Sequence, residues 1–296
     1  MILVGVDGST PSRAAVKWSI QRAAATGEDV IVAHVVDDEW GVVSYRLLDE
    51  VRVEAEALVA AEAAFARSID PRVTVTTTLR DGNPMSELIA VAEDADLVVV
   101  GTHKTGFVRG RVFGSRSLQL AGGSPVPVAI IPESPARTRR GVVVGVNESA
   151  ASREAIAFGA DEAHRLGEEL ILVGAWANPD PAEIETSEAR RRHTALVKSR
   201  IESVLLDARR QARAAYGDLT IRTRQTNRSA AETLVAAAAS ATLLVIGSSR
   251  RETAPTALGS VAHDVLINLA APTVVVHAAG APRDTVPERI PERAAK

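Results

Sequence analysis

The sequence repeats itself: the 296-residue chain carries one series of short motifs twice, in the same order. The segment Val-Gly-Val-Asp-Gly-Ser at residues 4–9 returns as Val-Gly-Val-Asn-Glu-Ser at 144–149, an offset of 140. The apolar run 97–101 matches 243–247 at an offset of 146, and motifs after Gly247 match at 145. Several motifs kept in order at nearly constant spacing indicate a duplicated domain, and the length suits two domains of ordinary size.

Each copy alternates short apolar runs, rich in β-branched residues, with helical patterns. In the first copy we predict strands over residues 2–6, 30–36, 73–79, 96–101 and 126–131. Helices are predicted to begin near Ser12, Leu47, Met85 and Ser115, with Ser12 as the cap of the first. Runs that are apolar throughout predict strands covered on both faces. The expected fold class is α/β, with two doubly wound, Rossmann-like domains in tandem, each on a five-stranded parallel sheet.

The repeat also predicts the domain boundaries. The first domain is expected over residues 1–132 and the second over 141–279, where one helix is predicted to be longer, at about 183–216. The segment 133–140, with one proline and three arginines, is the expected linker. Residues 280–296 carry three prolines, many charges and no apolar periodicity, so we predict a disordered tail.

Composition excludes several classes of function. The chain has no cysteine, which rules out disulfides, thiolate metal sites and cysteine nucleophiles. The net charge of −3 argues against nucleic-acid binding, and no apolar run approaches the roughly 20 residues that span a bilayer. The six histidines show no metal-ligand spacing, so no structural metal is predicted. We expect a cytoplasmic protein with neither a nucleic acid nor a membrane as partner.

A glycine-rich loop follows the apolar run 97–100 and extends to Ser117. Ligands of open α/β sheets bind at the carboxyl ends of the strands, where this loop is expected to lie. The pair Gly114-Ser115 would open a helix whose first amides favour an anion, and Lys104 and Arg116 add positive charge. These features predict a phosphate site. However, neither a P-loop nor a G-x-G-x-x-G motif is present, so the glycines could equally only shape a surface loop.

The sequence resembles the universal stress proteins. The resemblance is carried by residues 4–9, by Ala-His-Val-Val at 33–36 and by Asp-Leu-Val-Val-Val-Gly-Thr-His at 96–103, and it covers 1–132 and 140–278 in tandem. Family members that bind ATP carry a glycine, two residues, a glycine, nine residues and then Gly-Ser or Gly-Thr. Gly101 and Gly114-Ser115 match that pattern, whereas Lys104 stands at the middle glycine. The family fold is the Rossmann-like fold of adenine nucleotide α-hydrolases.

The resemblance implies an ATP site in the first domain, with any Mg²⁺ arriving with the nucleotide. Asp7 would accept hydrogen bonds from the ribose, although it could also be only a turn-former before Gly8. The adenine slot would be lined by Gly5, Val6, Val35 and Val100. Ordinary strand packing would explain Val35 and Val100 equally well. The phosphates would be held by Gly101, Lys104, Gly114, Ser115, Arg116 and Ser117.

The second copy departs further from the family pattern. Asn147 replaces the acid, Arg250 stands at the middle glycine, and the segment from Gly247 to Gly259 is one residue shorter than its counterpart. We therefore expect the second domain to bind nucleotide weakly or not at all. A weak second site would be formed by Asn147, Gly247, Arg250, Gly259 and Ser260.

Two functions follow as hypotheses. The first is an ATP-binding regulatory or signalling protein of the stress response, not an enzyme, with slow ATP hydrolysis left open. The alternative is a nucleotide-independent, dimerising interaction scaffold. The resemblance implies that the last strands, at 126–131 and 273–277, pair the two domains within one chain. A further homodimer and an unidentified protein partner are also expected.

Overall fold

The computed structural model describes residues 1–37, 45–102, 115–133, 139–176, 186–249 and 258–278. The first half contains β1 (Ile2–Gly5), α1 (Thr10–Thr26), β2 (Val30–Val36), α2 (Tyr45–Ile69), β3 (Val75–Asp81), α3 (Pro84–Val91), β4 (Leu97–Thr102), α4 (Ser115–Gly123) and β5 (Val128–Pro132). The second half contains β6 (Val142–Gly145), α5 (Ala150–Leu166), β7 (Leu170–Trp176), α6 (Ser187–Ala215), β8 (Ile221–Asn227), α7 (Ala230–Ala238), β9 (Leu243–Ser248), α8 (Ser260–Ile267) and β10 (Thr273–His277). A short 3₁₀ turn, Ala92–Asp94, follows α3.

The ten strands of the described ranges form one sheet, in the order β3-β2-β1-β4-β5-β10-β9-β6-β7-β8. The five strands of each half run parallel to one another, which confirms two doubly wound α/β domains in tandem. In the first half the strand order reverses between β1 and β4, and the chain crosses to opposite faces of the sheet on either side of this point. A crevice is therefore expected beyond the carboxyl ends of these two strands.

The two half-sheets meet at an antiparallel junction between β5 and β10. Ala129 lies opposite Val274, with Val128 opposite Val275 and Ile130 opposite Thr273. The last strands thus pair within one chain. Because the pairing is antiparallel, the strands of the two domains run in opposite directions. Their carboxyl ends therefore lie on opposite sides of the protein.

Buried aliphatic side chains cover both faces of the sheet. On one face α1, α2, α5 and α6 pack over residues such as Val4 and Val144, which are 0% exposed. On the other face α3, α4, α7 and α8 pack over residues such as Val98 and Val275, also 0% exposed. Near-continuous Val, Ile and Leu runs form such strands because both sides of the strand must be apolar. No helix of the described ranges is both long and apolar enough to cross a bilayer.

The expectation that Ser12 caps the first helix is wrong by one turn. Ser9 is the cap: its extended backbone precedes α1, and its hydroxyl oxygen accepts from the amide of Ser12 at 3.3 Å. Ser12 is buried inside the first turn, where its own hydroxyl donates to the carbonyl oxygen of Ser9 at 3.0 Å. Both serines have the side chain that a cap requires, and Pro11 suits the first turn, so the start moves to Thr10.

Several other boundaries differ from the prediction: the first strand ends at Gly5 and the fourth spans Leu97–Thr102. The third strand begins at Val75, because the amide of Val73 bonds the carbonyl of Asp70 in a turn. The fifth begins at Val128, because the Ser124 hydroxyl bonds both backbone groups of Val126. The long helix spans Ser187–Ala215, capped by Thr186. Residues 134–138 of the expected linker, residues 183–185 and the expected tail 280–296 lie outside the described residues.

Candidate functional site

A cavity of about 1070 Å³ opens beyond the carboxyl ends of β1, β2 and β4, at the point where the strand order reverses. The first turn of α1, the end of β3 and helices α2, α3 and α4 contribute the rest of its wall. It brings together most of the residues predicted from the sequence: Gly5, Val6, Asp7, Val35, Val100, Gly101, Arg116 and Ser117. Ser115 is the first residue of α4, as predicted. Lys104 and Gly114 lie outside the described residues.

The inner wall of the cavity is apolar. Val35 of β2 and Val100 of β4 are each 9% exposed, and Leu88 of α3 and Leu120 of α4 are more deeply buried. Strand packing therefore accounts for the two valines, yet both also line the cavity. An apolar slot flanked by strand backbone suits a flat heteroaromatic ring, which needs apolar contact on its faces and hydrogen bonds at its edge.

Asp7 forms a turn at the mouth of the cavity. One carboxylate oxygen accepts from the amide of Ser9 at 3.0 Å, and Gly8 adopts a positive φ of 76°. This is the local hydrogen bond by which aspartate stabilises turns. The turn-forming role is thus real, and the same exposed carboxylate lines the cavity. The turn holds the negative charge at the carboxyl end of β1.

Two ion pairs lie at the rim. Arg116, whose side chain is 69% exposed, is 3.3 Å from the carboxylate of Asp37, and Arg52 of α2 is 3.2 Å from Asp81 at the end of β3. Exposed ion pairs of this kind contribute only about 0–1 kcal/mol to stability. Arg116 can therefore exchange Asp37 for an anionic ligand at little cost.

Several lining residues were missed by the sequence analysis. Asp37 follows β2 and Asp81 is the last residue of β3, so both lie at the carboxyl ends of strands, where ligands of open α/β sheets bind, and this position is a signal that the sequence carries. His34 carries no such signal, and its Nδ1 lies 2.7 Å from the carbonyl oxygen of Val6. The contribution of α2, including Leu58, depends on how that helix packs over the sheet.

Gly101 is required by packing against protein. A Cβ at this position would lie 2.1 Å from the carbonyl oxygen of Pro11 and 2.2 Å from its carbonyl carbon, because the first turn of α1 crosses over the end of β4. Gly247 of β9 is in the same position, 2.5 Å from the carbonyl oxygen of Ala151 in α5. Glycine is therefore needed at both positions because a helix lies directly against the strand.

The residues expected to form a second site lie at the corresponding positions of the second half. Asn147 repeats the turn of Asp7, with its Oδ1 accepting from the amide of Ser149 at 2.8 Å. Gly259 precedes α8, of which Ser260 is the first residue, and the amide of Gly259 donates to the Ser248 hydroxyl. Arg250 lies outside the described residues.

Helix α6 packs closely on the sheet in the second half. A Cβ at Gly174, at the position of His34 by the offset of 140, would lie 2.6 Å from Ile201 of that helix. The helix therefore occupies space that the His34 side chain takes in the first domain. Within the described residues of both halves, no three acidic or histidine side chains come together in a way that could hold a metal ion.

The fold and the cavity define a class: tandem doubly wound α/β domains with a ligand-sized crevice at a topological switch point. The family model of the universal stress protein family matches residues 1–132 and 138–277. A universal stress protein of Mycobacterium tuberculosis is 30% identical over 292 residues, which cover 93% of this chain and 96% of that relative. A solved universal stress protein from Archaeoglobus fulgidus has the same fold, with a TM-score of 0.68 at 17% identity over 94% of this chain and 98% of its own. The chain belongs to the universal stress protein family.

Proposed function

We propose that this universal stress protein is an ATP-binding regulatory protein of the stress response, with the nucleotide held in the cavity of the first domain. The observation that carries the proposal is the position of that cavity. It lies at the switch point of the first half-sheet, with Asp7 at one side and the start of α4 at the other. Phosphates are stabilised at helix N-termini by the free amides and the helix dipole.

Each part of the cavity suits one part of the nucleotide. The apolar wall at Val35 and Val100 suits the faces of adenine, and the backbone of Gly5 and Val6 lines the same slot. The Asp7 carboxylate suits the ribose hydroxyls, because an ionised carboxylate only accepts hydrogen bonds. The phosphates would be bound by residues from the end of β4, the loop that follows it and the start of α4: Gly101, Lys104, Gly114, Ser115, Arg116 and Ser117.

We propose binding rather than turnover. Asp37 and Asp81 at the rim are held by arginines, and Asp7 by a backbone amide. We therefore assign none of these three carboxylates the role of a general base that activates water. Occupancy of the cavity would instead change the surface formed by α2 and α4, which a partner protein could recognise.

The proposal is tested by denaturing the purified protein and identifying released nucleotide by mass spectrometry, followed by calorimetric titration of the emptied protein with ATP. We expect about one ATP per chain. Ser115→Ala should weaken binding about tenfold, the lower end of the value of a hydrogen bond to a charged group. The matched variant Ser260→Ala, at the corresponding place in the second half, should leave the affinity unchanged. An emptied protein that gives no heat with millimolar ATP would overturn the proposal.

A second candidate function is a nucleotide-independent interaction scaffold. It is favoured by the junction of β5 and β10, which joins two domains into one continuous sheet without any ligand. In that case ATP would change neither the hydrogen exchange of α4 nor the binding of a partner. The expected homodimer and the weak second site around Asn147 stay predictions under either function.

A further inference from the structure

Arg22 and Glu162 occupy the same position in the two copies of the domain. Helices α1 and α5 are each 17 residues long, and each follows a capping serine, Ser9 or Ser149. Each also ends at a glycine with positive φ. The offset of 140 that relates these caps also relates Arg22 to Glu162. One copy thus carries a cation where the other carries an anion.

The junction relates the two domains by a local two-fold axis. Ala129 and Val274 are each the second residue of their strand, and they lie opposite one another in the antiparallel pair. Equivalent residues that pair directly in this way mark the axis of an isologous contact. Both also pack in the core on the face of the sheet that α1 and α5 cover, so these helices flank the axis together.

Arg22 and Glu162 contact each other across this axis. Nε of Arg22 lies 3.0 Å from Oε1 of Glu162, and the two side chains are only 14% and 3% exposed. The Arg22 guanidinium also lies over the ring of Phe158 in α5, 5.9 Å from its centroid. Each side chain also has a local partner, an ion pair within its own domain: Arg22 pairs with Glu28 and Glu162 pairs with Arg165.

We propose that the Arg22–Glu162 pair determines which domains associate, by favouring the first domain on the second and opposing the association of like domains. If two copies of the first domain met through β5, two arginines would face each other at the axis. If two copies of the second met through β10, two buried glutamates would do so. Like charges juxtaposed in an interface are strongly unfavourable, whereas a well-paired opposite charge fixes register and partner.

The proposal is tested with three variants of the full chain, all carrying Glu28→Gln and Arg165→Gln to remove the local partners. Glu162→Arg places two arginines against each other at the axis, as in a first-domain pair without its local carboxylates. Arg22→Glu places two carboxylates there, as in a second-domain pair without its local arginines. The combination of the two reversals restores opposite charges in exchanged places. Hydrogen exchange of peptides from β5 and β10 reports opening of the junction. Peptides from β2 report the stability of the first domain itself.

We expect each single charge reversal to raise exchange at β5 and β10 by about 30-fold or more, as for breaking a buried charge pair. The combined reversal should return exchange to within about threefold of the background protein. Reversal of an exposed pair within the second domain, Arg200→Glu against Glu148, should leave the junction unchanged. If the single variants do not fold but the combination does, the proposal is equally supported. A combination no better than the single reversals would overturn it.

Discussion

Gly101→Ala is expected to destabilise the folded chain by about 3 kcal/mol or more, which is at or above the usual cost of forcing extra atoms into a packed site. The added Cβ would lie 2.1 Å from the backbone of Pro11, so either β4 or the first turn of α1 must move. Backbone on both sides leaves no flexible side chain to give way. Urea unfolding followed by circular dichroism measures the loss.

Two glycine variants serve as controls. Gly247→Ala should be nearly as costly, because its Cβ would lie 2.5 Å from the carbonyl oxygen of Ala151. Gly217→Ala, where no atom lies within 4 Å of the added Cβ, should change stability by less than about 0.5 kcal/mol. If Gly101→Ala proved as stable as the unaltered chain and lost only ATP binding, this glycine would serve the ligand and the packing explanation would be wrong.

Asp7→Ala is expected to weaken ATP binding about 100-fold, within the range for losing a hydrogen bond to a charged group. This substitution removes both the carboxylate proposed to bind the ribose and the turn that it forms with Ser9. Asp7→Asn separates the two effects, because Asn147 shows that asparagine forms the same turn in the second domain. We expect Asp7→Asn to weaken binding about tenfold, since a neutral acceptor forms the weaker hydrogen bond.

Calorimetric titration measures both affinities, and Asn147→Ala is the matched control that should leave the first site unaffected. If Asp7→Asn bound ATP as well as the unaltered protein while Asp7→Ala lost both binding and stability, Asp7 would act only through its turn. The ribose role would then be wrong, although the nucleotide site itself would stand.

The fold could be predicted from the sequence because its signals are local and repeated. Apolar runs of five to seven residues alternate with helical segments twice, and that alternation allows few topologies. The start of the first helix was harder to predict, because Ser9 and Ser12 both have capping side chains and lie one turn apart. Only the observed hydrogen bond identifies Ser9 as the cap. The starts of the third and fifth strands were missed for a similar reason. They are set by turns at Asp70 and Ser124, whose hydrogen bonds the sequence does not reveal.

The candidate site could be predicted only where it is built from strand ends. Asp7, Gly101 and the start of α4 follow from strand positions and the family pattern. The wall contributed by α2 does not, because the face that a 25-residue crossover helix turns to the sheet is set by tertiary packing. The contact of Arg22 with Glu162 is harder still to predict from the sequence, since it exists only once β5 has paired with β10.

The order of strands also limits how this protein can associate with itself. A sheet grows through its open edges, and within the described residues those edges are β3 and β8, not β5 or β10. Both outer strands carry exposed polar side chains, such as Thr76 in β3 and Arg222 and Arg224 in β8, and such edges resist the addition of another strand. These edge strands therefore disfavour self-association that extends the sheet, and we expect any homodimer to form through helices or loops instead.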